Sequence, residues 1–273
     1  MAEANFVLFA GIGALSGFFA GLLGLGGGAI ITPLLIITLA SVMPPSIATH
    51  AAIGSSLAVI VLTSIPSVLT HARHGAVSWR IGALLAGGAA LGAFIGANIA
   101  GYISAAVLNL MLSFFLFRIS FYMFRSRRTD LHAESPVSSP PKLVGVGACI
   151  GVLSSMLGIG GGAMSVPFLF KQKLPMRKCI GTSSFINIPV AVFAVAGYII
   201  GGWNHEDMPA GSWGYVYTPA LAGIAVFSMI FAVVGATLTA KLPELLLRRI
   251  FGGIAAILAL RLLAATIWAL WPQ

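Results

Sequence analysis

Apolar stretches long enough to be helices alternate with short polar interruptions along nearly the whole chain. They run over about 6–23 plus 28–40, then 46–69, 79–100 and 104–124. After a polar interval the series resumes at about 142–158 plus 162–170, 176–200, 217–240 and 244–270. A bilayer core of ~30 Å takes about 20 residues of α-helix to cross, and most of these stretches meet that length. Two do not run straight. One holds Gly24-Leu25-Gly26-Gly27-Gly28 with Pro33 after it; the other holds Gly158-Ile159-Gly160-Gly161-Gly162 with Pro167 after it. Glycine costs roughly 1 kcal/mol relative to alanine in a helix interior, so two such runs inside apolar sequence mark two deliberate breaks. Gly24 and Gly158, and Pro33 and Pro167, are separated by the same number of residues. The pattern predicts an all-α polytopic membrane protein of two repeats, each a glycine-broken re-entrant or hairpin helix plus three transmembrane helices. Residues 1–124 form the first repeat, 125–141 a polar linker and 142–273 the second repeat. Likeness continues past the breaks: Ile53-Gly54-Ser55-Ser56 resembles Ile180-Gly181-Thr182-Ser183, and Gly96-Ala97 resembles Gly235-Ala236.

Composition agrees with the pattern. Charged residues make up 8% of the 273, hydrophobic ones 59%, and mean hydropathy is +1.03, whereas soluble domains carry about 25% charge. The first segment lacks a basic leader and a small-residue cleavage site, and reads as part of the mature chain. Cys149 and Cys179 lie in or beside apolar segments and read as packing residues; neither a disulfide nor a metal site is expected, and no cofactor. With no soluble basic domain, nucleic acid is excluded as a partner.

Charge placement sets the topology. Basic residues cluster at 71–80, 125–142, 171–178 and 241–249, while 41–48 and 101–104 carry no charge and 201–216 holds only Glu206 and Asp207. With the basic loops cytoplasmic, the broken segment between 125–142 and 171–178 must leave and return on one side. Its second leg, 162–170, spans only about 13 Å and is too short for a separate crossing. Each half is then a hairpin plus three crossings, an odd number, so the halves are inverted and both termini lie outside. Inverted repeats with broken helices are the build of secondary transporters, whose site lies near midplane between the halves.

Candidate chemistry follows from this frame. Opening a helix at Gly26, Gly27, Gly28 and at Gly160, Gly161, Gly162 frees backbone N–H groups that favour an anion; simple close packing is the competing reading. The pattern Gly24-x-Gly26-x-x-Ala29 fits a dinucleotide loop loosely, but no strand precedes it and no acid follows. Ser55 and Ser56 in one half, and Thr182, Ser183, Ser184 and Asn187 in the other, supply neutral donors before Pro66 and Pro189, or else interhelical hydrogen bonds. Arg261 stands alone in an apolar helix and faces either a cavity or a carbonyl partner; Arg118, nearer a helix end, snorkels. His50 and His71 are the candidates for a proton relay, against the commoner solvated role. All six acids (Glu3, Asp130, Glu134, Glu206, Asp207, Glu244) fall in loops or at segment ends, and a pathway without acids suits an anion. Gly88, Gly92 and Gly96 read as a packing face, and Trp79, Trp203, Trp213, Tyr215, Trp268 and Trp271 as interfacial anchors.

The doubled motif, Gly-Leu-Leu-Gly-Leu-Gly-Gly-Gly at 21–28 and Met-Leu-Gly-Ile-Gly-Gly-Gly at 156–162, each followed by a proline, resembles the TauE/SafE sulfite exporter family. So do Ile53-Gly54-Ser55-Ser56-Leu57, Ile180-Gly181-Thr182-Ser183 and His71-x-Arg73-x-Gly75-x-Val77-x-Trp79. Ser55 stands where the family usually has threonine. The resemblance implies an inner-membrane permease for sulfur-containing anions: sulfite, thiosulfate, sulfate or organosulfonates. The residues alone point only to a small anion. The expected partners are that anion and the lipid bilayer, with a homodimer compatible, and the expected function is export by alternating access. The alternatives are a passive anion channel and an importer of sulfate or thiosulfate; an enzyme is disfavoured by the missing acids, Cys-His clusters and soluble domain.

Overall fold

The computed structural model describes residues 2–125, 138–203, 205 and 208–270. Most of the expected linker, 126–137, and Trp271 lie outside the described residues, as does the side chain of Trp268. Ten helices are described: α1 (Ala2–Leu23), α2 (Gly28–Leu39), α3 (Pro45–Arg73), α4 (Trp79–Ala100), α5 (Ala105–Arg125), α6 (Pro140–Leu157), α7 (Gly162–Lys171), α8 (Met176–Gly202), α9 (Thr218–Thr239) and α10 (Glu244–Leu270). Prolines within the first two positions of α3, α6 and α9 help start them, where the missing N–H costs nothing. Six helices (α3, α4, α5, α6, α8 and α9) are long and apolar enough to cross a membrane, and α1, α2 and α10 carry shorter apolar windows. The chain is a multi-pass membrane protein.

Both glycine runs break their helices. Gly24, Gly26 and Gly27 have φ of 69°, 72° and 86°, and Gly158 and Gly160 both have φ of 67°. An L side chain in this left-handed region costs roughly 1–2 kcal/mol. After the first break Gly27 lies against the Ser16 carbonyl and the Ala20 methyl of α1, so the chain has doubled back before α2 begins.

Small residues decide which helices pair. α1 runs along α9, with Gly13, Gly17 and Gly21 against the backbone of Ile224, Ser228 and Ala232. α4 runs along α6: Gly88 and Gly92 meet Val144 and Ala148, and Gly147 and Gly151 meet Leu85 and Ala89. A Cβ at any of these positions would collide with the facing backbone, as expected where apolar helices associate without a hydrophobic driving force. Gly88, Gly92 and Gly96 are therefore the packing face that their spacing predicts. α3 and α8 cross at the centre, and α5 pairs with α10 at the periphery. Large apolar side chains such as Leu91, Ile95, Phe114, Phe117 and Ile230 remain exposed on the outside, as a lipid-facing surface requires.

One element departs from an all-α fold. β1 (Ser212–Trp213) and β2 (Val216–Tyr217) form a small antiparallel hairpin just before α9. Gly211 and Gly214, with φ of 85° and 54°, allow its tight course, and its aromatic and β-branched residues suit a strand. The hairpin sits on α3 and α8 through bonds from the Tyr217 N–H to Ser55 Oγ (2.8 Å) and from the Tyr215 N–H to the Tyr198 carbonyl (3.2 Å). Tyr215 is consequently buried and is not the interfacial anchor its composition predicts. Trp79, Trp203 and Trp213 are exposed, in keeping with that role.

Candidate functional site: crossed glycine turns

The two glycine breaks meet each other. A Cβ on Gly28 would strike the Gly158 carbonyl, and one on Gly162 would strike the Gly24 carbonyl. Gly24 backs onto Ile180 of α8, and Gly158 onto Ile53 of α3. Each break therefore makes, against the other half, the contact that the other makes against it.

Hydroxyl and amide side chains satisfy the opened backbone there. Thr32 Oγ1 and Ser56 Oγ both donate to the Gly158 carbonyl, at 2.6 and 3.0 Å. Asn187 donates from Nδ2 to the Gly24 carbonyl at 3.1 Å and accepts the Gly162 N–H on Oδ1. Ser183 donates to the Cys179 carbonyl and receives Ser165 Oγ at 3.0 Å; Ser184 pairs with Ser67 at 3.2 Å. Gly26 and Gly160 face Asn187 on one side and Ile60 on the other. All these side chains are buried, and an unmet buried polar group costs about 1–3 kcal/mol, which is why so many hydroxyls gather at the breaks.

Ser55 and Thr182 do a matched but different job. Each lies one residue past a glycine that packs on backbone, Gly54 on Tyr215 and Gly181 on Ala76. Thr182 Oγ1 accepts the Ser78 N–H at 2.9 Å, just before α4, as Ser55 accepts the Tyr217 N–H just before α9. His71 and Tyr198 form another matched pair. His71 Nε2 donates to the Gly21 carbonyl at 2.9 Å, and the Tyr198 hydroxyl to the Ser155 carbonyl at 3.2 Å. Both acceptors lie in the last turn of a helix that ends at a break, where carbonyls lack helical partners.

The remaining expected residues sit elsewhere. His50 turns Nδ1 to the Ser46 carbonyl and Nε2 to the carbonyls of Ala100 and Ile103, so it holds the end of α4. Arg261 is exposed on α10, whose main neighbour is α5, and it does not join the crossed turns. Thr32 and Ser165 were not among the residues the sequence singles out. The available signal was a hydroxyl in the first turns of each short apolar leg.

The sulfite exporter TauE/SafE family matches residues 9–262. The chain belongs to this family. A "Probable membrane transporter protein" of Haemophilus influenzae is 33% identical over 252 residues, covering 92% of this chain and 95% of that one. The "Probable membrane transporter protein YdhB" of Bacillus subtilis is 30% identical, with 86% and 90% covered. A relative from Methanocaldococcus jannaschii, "Probable membrane transporter protein MJ0441", is 26% identical over 226 residues, covering 81% and 79%. No solved structure matches. As a TauE/SafE member the chain is a membrane transporter, and its crossed turns, buried where the two halves meet, are its candidate transport site.

Proposed function

We propose that the chain exports a small sulfur-containing anion, sulfite or an organosulfonate, across the bacterial inner membrane by alternating access of two inverted halves. The halves are 1–124 and 142–273, joined by a cytoplasmic linker at 125–141, with the other basic loops on the same face and both termini outside. The reciprocal crossing of the glycine turns carries this reading: Gly28 on the Gly158 carbonyl and Gly162 on the Gly24 carbonyl. Such exchange of equivalent contacts is what two related halves meeting about a pseudo-two-fold axis produce.

In the conformation described, the donors of Thr32, Ser56 and Asn187 are spent on protein carbonyls. Parting the turns releases these donors together with the amides at the start of α2 and α7. A negatively charged passenger then replaces the carbonyls as their acceptor. Ser183 and Ser184 extend the donor wall along α8, and Ser55 and Thr182 keep the loops before α9 and α4 in register. His50 and His71, both holding backbone carbonyls, serve the scaffold before any proton relay. Membrane voltage, worth about 2.3 kcal/mol per charge per 100 mV, helps an anion leave a negative-inside cell, so export needs no dedicated proton.

A thermal-shift screen of the purified protein with sulfite, thiosulfate, sulfate, sulfoacetate and taurine tests the reading. A true substrate at ~100 times its dissociation constant stabilises by about 2.7 kcal/mol. No shift with any of them, beside a shift with a cation, would overturn it.

A further inference from the structure

We infer that the cavity at the C-terminal ends of α3 and α9 and the N-terminal end of α8 is an anion-collecting vestibule, occupied by the oxyanion before it reaches the crossed turns. The inference rests on the transport reading above and names a second binding position for the same passenger. The cavity has a volume of about 360 Å³ and includes His71, His74, Arg177, Lys178, Ala236 and Thr239 in its lining. A water takes up about 30 Å³ of liquid, so an oxyanion fits with part of its hydration shell.

The cations sit at its mouth and the route inward lies at its floor. Arg177 and Lys178 are exposed, whereas His71 and Thr239 are buried. His71 donates to the Gly21 carbonyl, and Thr239 Oγ1 lies 3.4 Å from that carbonyl and 2.8 Å from the one of Leu22. Gly21 and Leu22 lie in the last turn of α1, just before the first glycine break. The vestibule floor is thus the hinge side of the crossed turns. None of the residues lining the cavity is acidic. A concave site lined by one sign of charge within low-dielectric walls concentrates counter-ions and raises their on-rate by about 10–10³-fold. His74, whose Nδ1 donates to the Thr70 carbonyl at 2.8 Å, is fixed in place at the same rim.

Among the described residues, the other end of the α3–α8 pair brings no Arg or Lys to its equivalent positions. There Tyr215 packs at a tilt against His50 and His205, with ring centroids 5.4 and 5.7 Å away, and meets Tyr198 edge-on at 6.3 Å. The passenger is therefore collected at the basic end alone.

The test uses full-length protein in liposomes, with sulfite, thiosulfate, sulfate and sulfoacetate offered in turn to the basic face. For whichever ion is carried, Arg177→Gln and Lys178→Gln should each raise the half-saturating concentration about threefold, and the double variant about tenfold. High salt should shrink the difference, and Arg177→Lys should restore wild-type behaviour. Arg80→Gln, at an exposed cation lining a separate cavity, should change nothing. Unchanged half-saturation in the double variant would overturn the vestibule while leaving transport intact. A wild-type protein that neither binds nor carries any of the four ions would remove the transport reading, and the vestibule with it.

Discussion

The two ends of the α3–α8 pair are built on the same backbone contacts and finished in opposite ways. At one end Gly181 packs on Ala76, Thr182 holds the Ser78 N–H and His71 holds a carbonyl of α1. At the other end Gly54 packs on Tyr215, Ser55 holds the Tyr217 N–H and Tyr198 holds a carbonyl of α6. The first end is an open cavity rimmed by Arg177, Lys178 and His74. The second is filled by Tyr215, carried in on the turn of a six-residue hairpin, 212–217. Burial raises the Tyr215 phenol above the ordinary tyrosine range. The lesson is that repeated glycine and hydroxyl positions set the shared scaffold. Side chains at unrepeated positions decide which end is open and which is shut.

Tyr215→Ala attacks the plug and should have the largest effect. Truncating a buried aromatic costs about 3–5 kcal/mol, read as a lowered melting temperature in detergent. It should also unseal that end: in a Cys149→Ser background, a cysteine at Ala97 should react with a water-soluble thiol reagent only once Tyr215 is gone. A cysteine at Ala236, in the open cavity, should react in either background. Equal reactivity at both positions in otherwise wild-type protein would erase the comparison.

Asn187→Leu removes the side chain that serves both breaks at once. It strands the Gly24 carbonyl and the Gly162 N–H, each at about 1–3 kcal/mol, so a loss of about 2–6 kcal/mol is expected in the same melt. Ile60→Leu, on the opposite wall of the turns, keeps the volume and should cost less than about 1.5 kcal/mol.

Ser55→Ala and Thr182→Val sharpen the scaffold half of the comparison. Each leaves one backbone N–H without its acceptor, and each should cost about 1–2 kcal/mol. Similar losses at the two positions are the expected outcome; a loss at only one would mean the matched bonds are not equivalent. Smallest of all, Arg177→Gln should leave stability within about 0.5 kcal/mol of wild type, since the side chain is exposed.

Much of the frame was legible in the chain. Segment lengths gave the long helices to within a few residues because an unbroken apolar run has one good solution in a bilayer. The glycine runs announced the breaks through their cost in a helix, and Ser55 and Thr182 announced their common role by matched position. Other features depended on what the fold brings together. The vestibule draws on 71–76, 175–178 and 236–240; the first two belong to basic loops that the charge pattern puts on one face, but nothing in the sequence says that they close round one cavity with 236–240. The hairpin is too short for periodicity to reveal and is held by docking rather than by propensity. Tyr215 differs for the same reason: its aromatic character beside a helix start predicts an interfacial anchor, while its turn carries it inward. The cost of burying a lone charge predicts a cavity or a carbonyl partner for Arg261, yet α10 packs chiefly on α5 and leaves it exposed.

Counterflow of radiolabelled sulfite in proteoliposomes tests most directly whether the crossed turns work as an alternating carrier. Vesicles loaded with unlabelled sulfite should accumulate label transiently above equilibrium, with an initial rate that saturates as outside sulfite rises. Flux that grows linearly with concentration and shows no overshoot would contradict the account and leave a passive pore in its place.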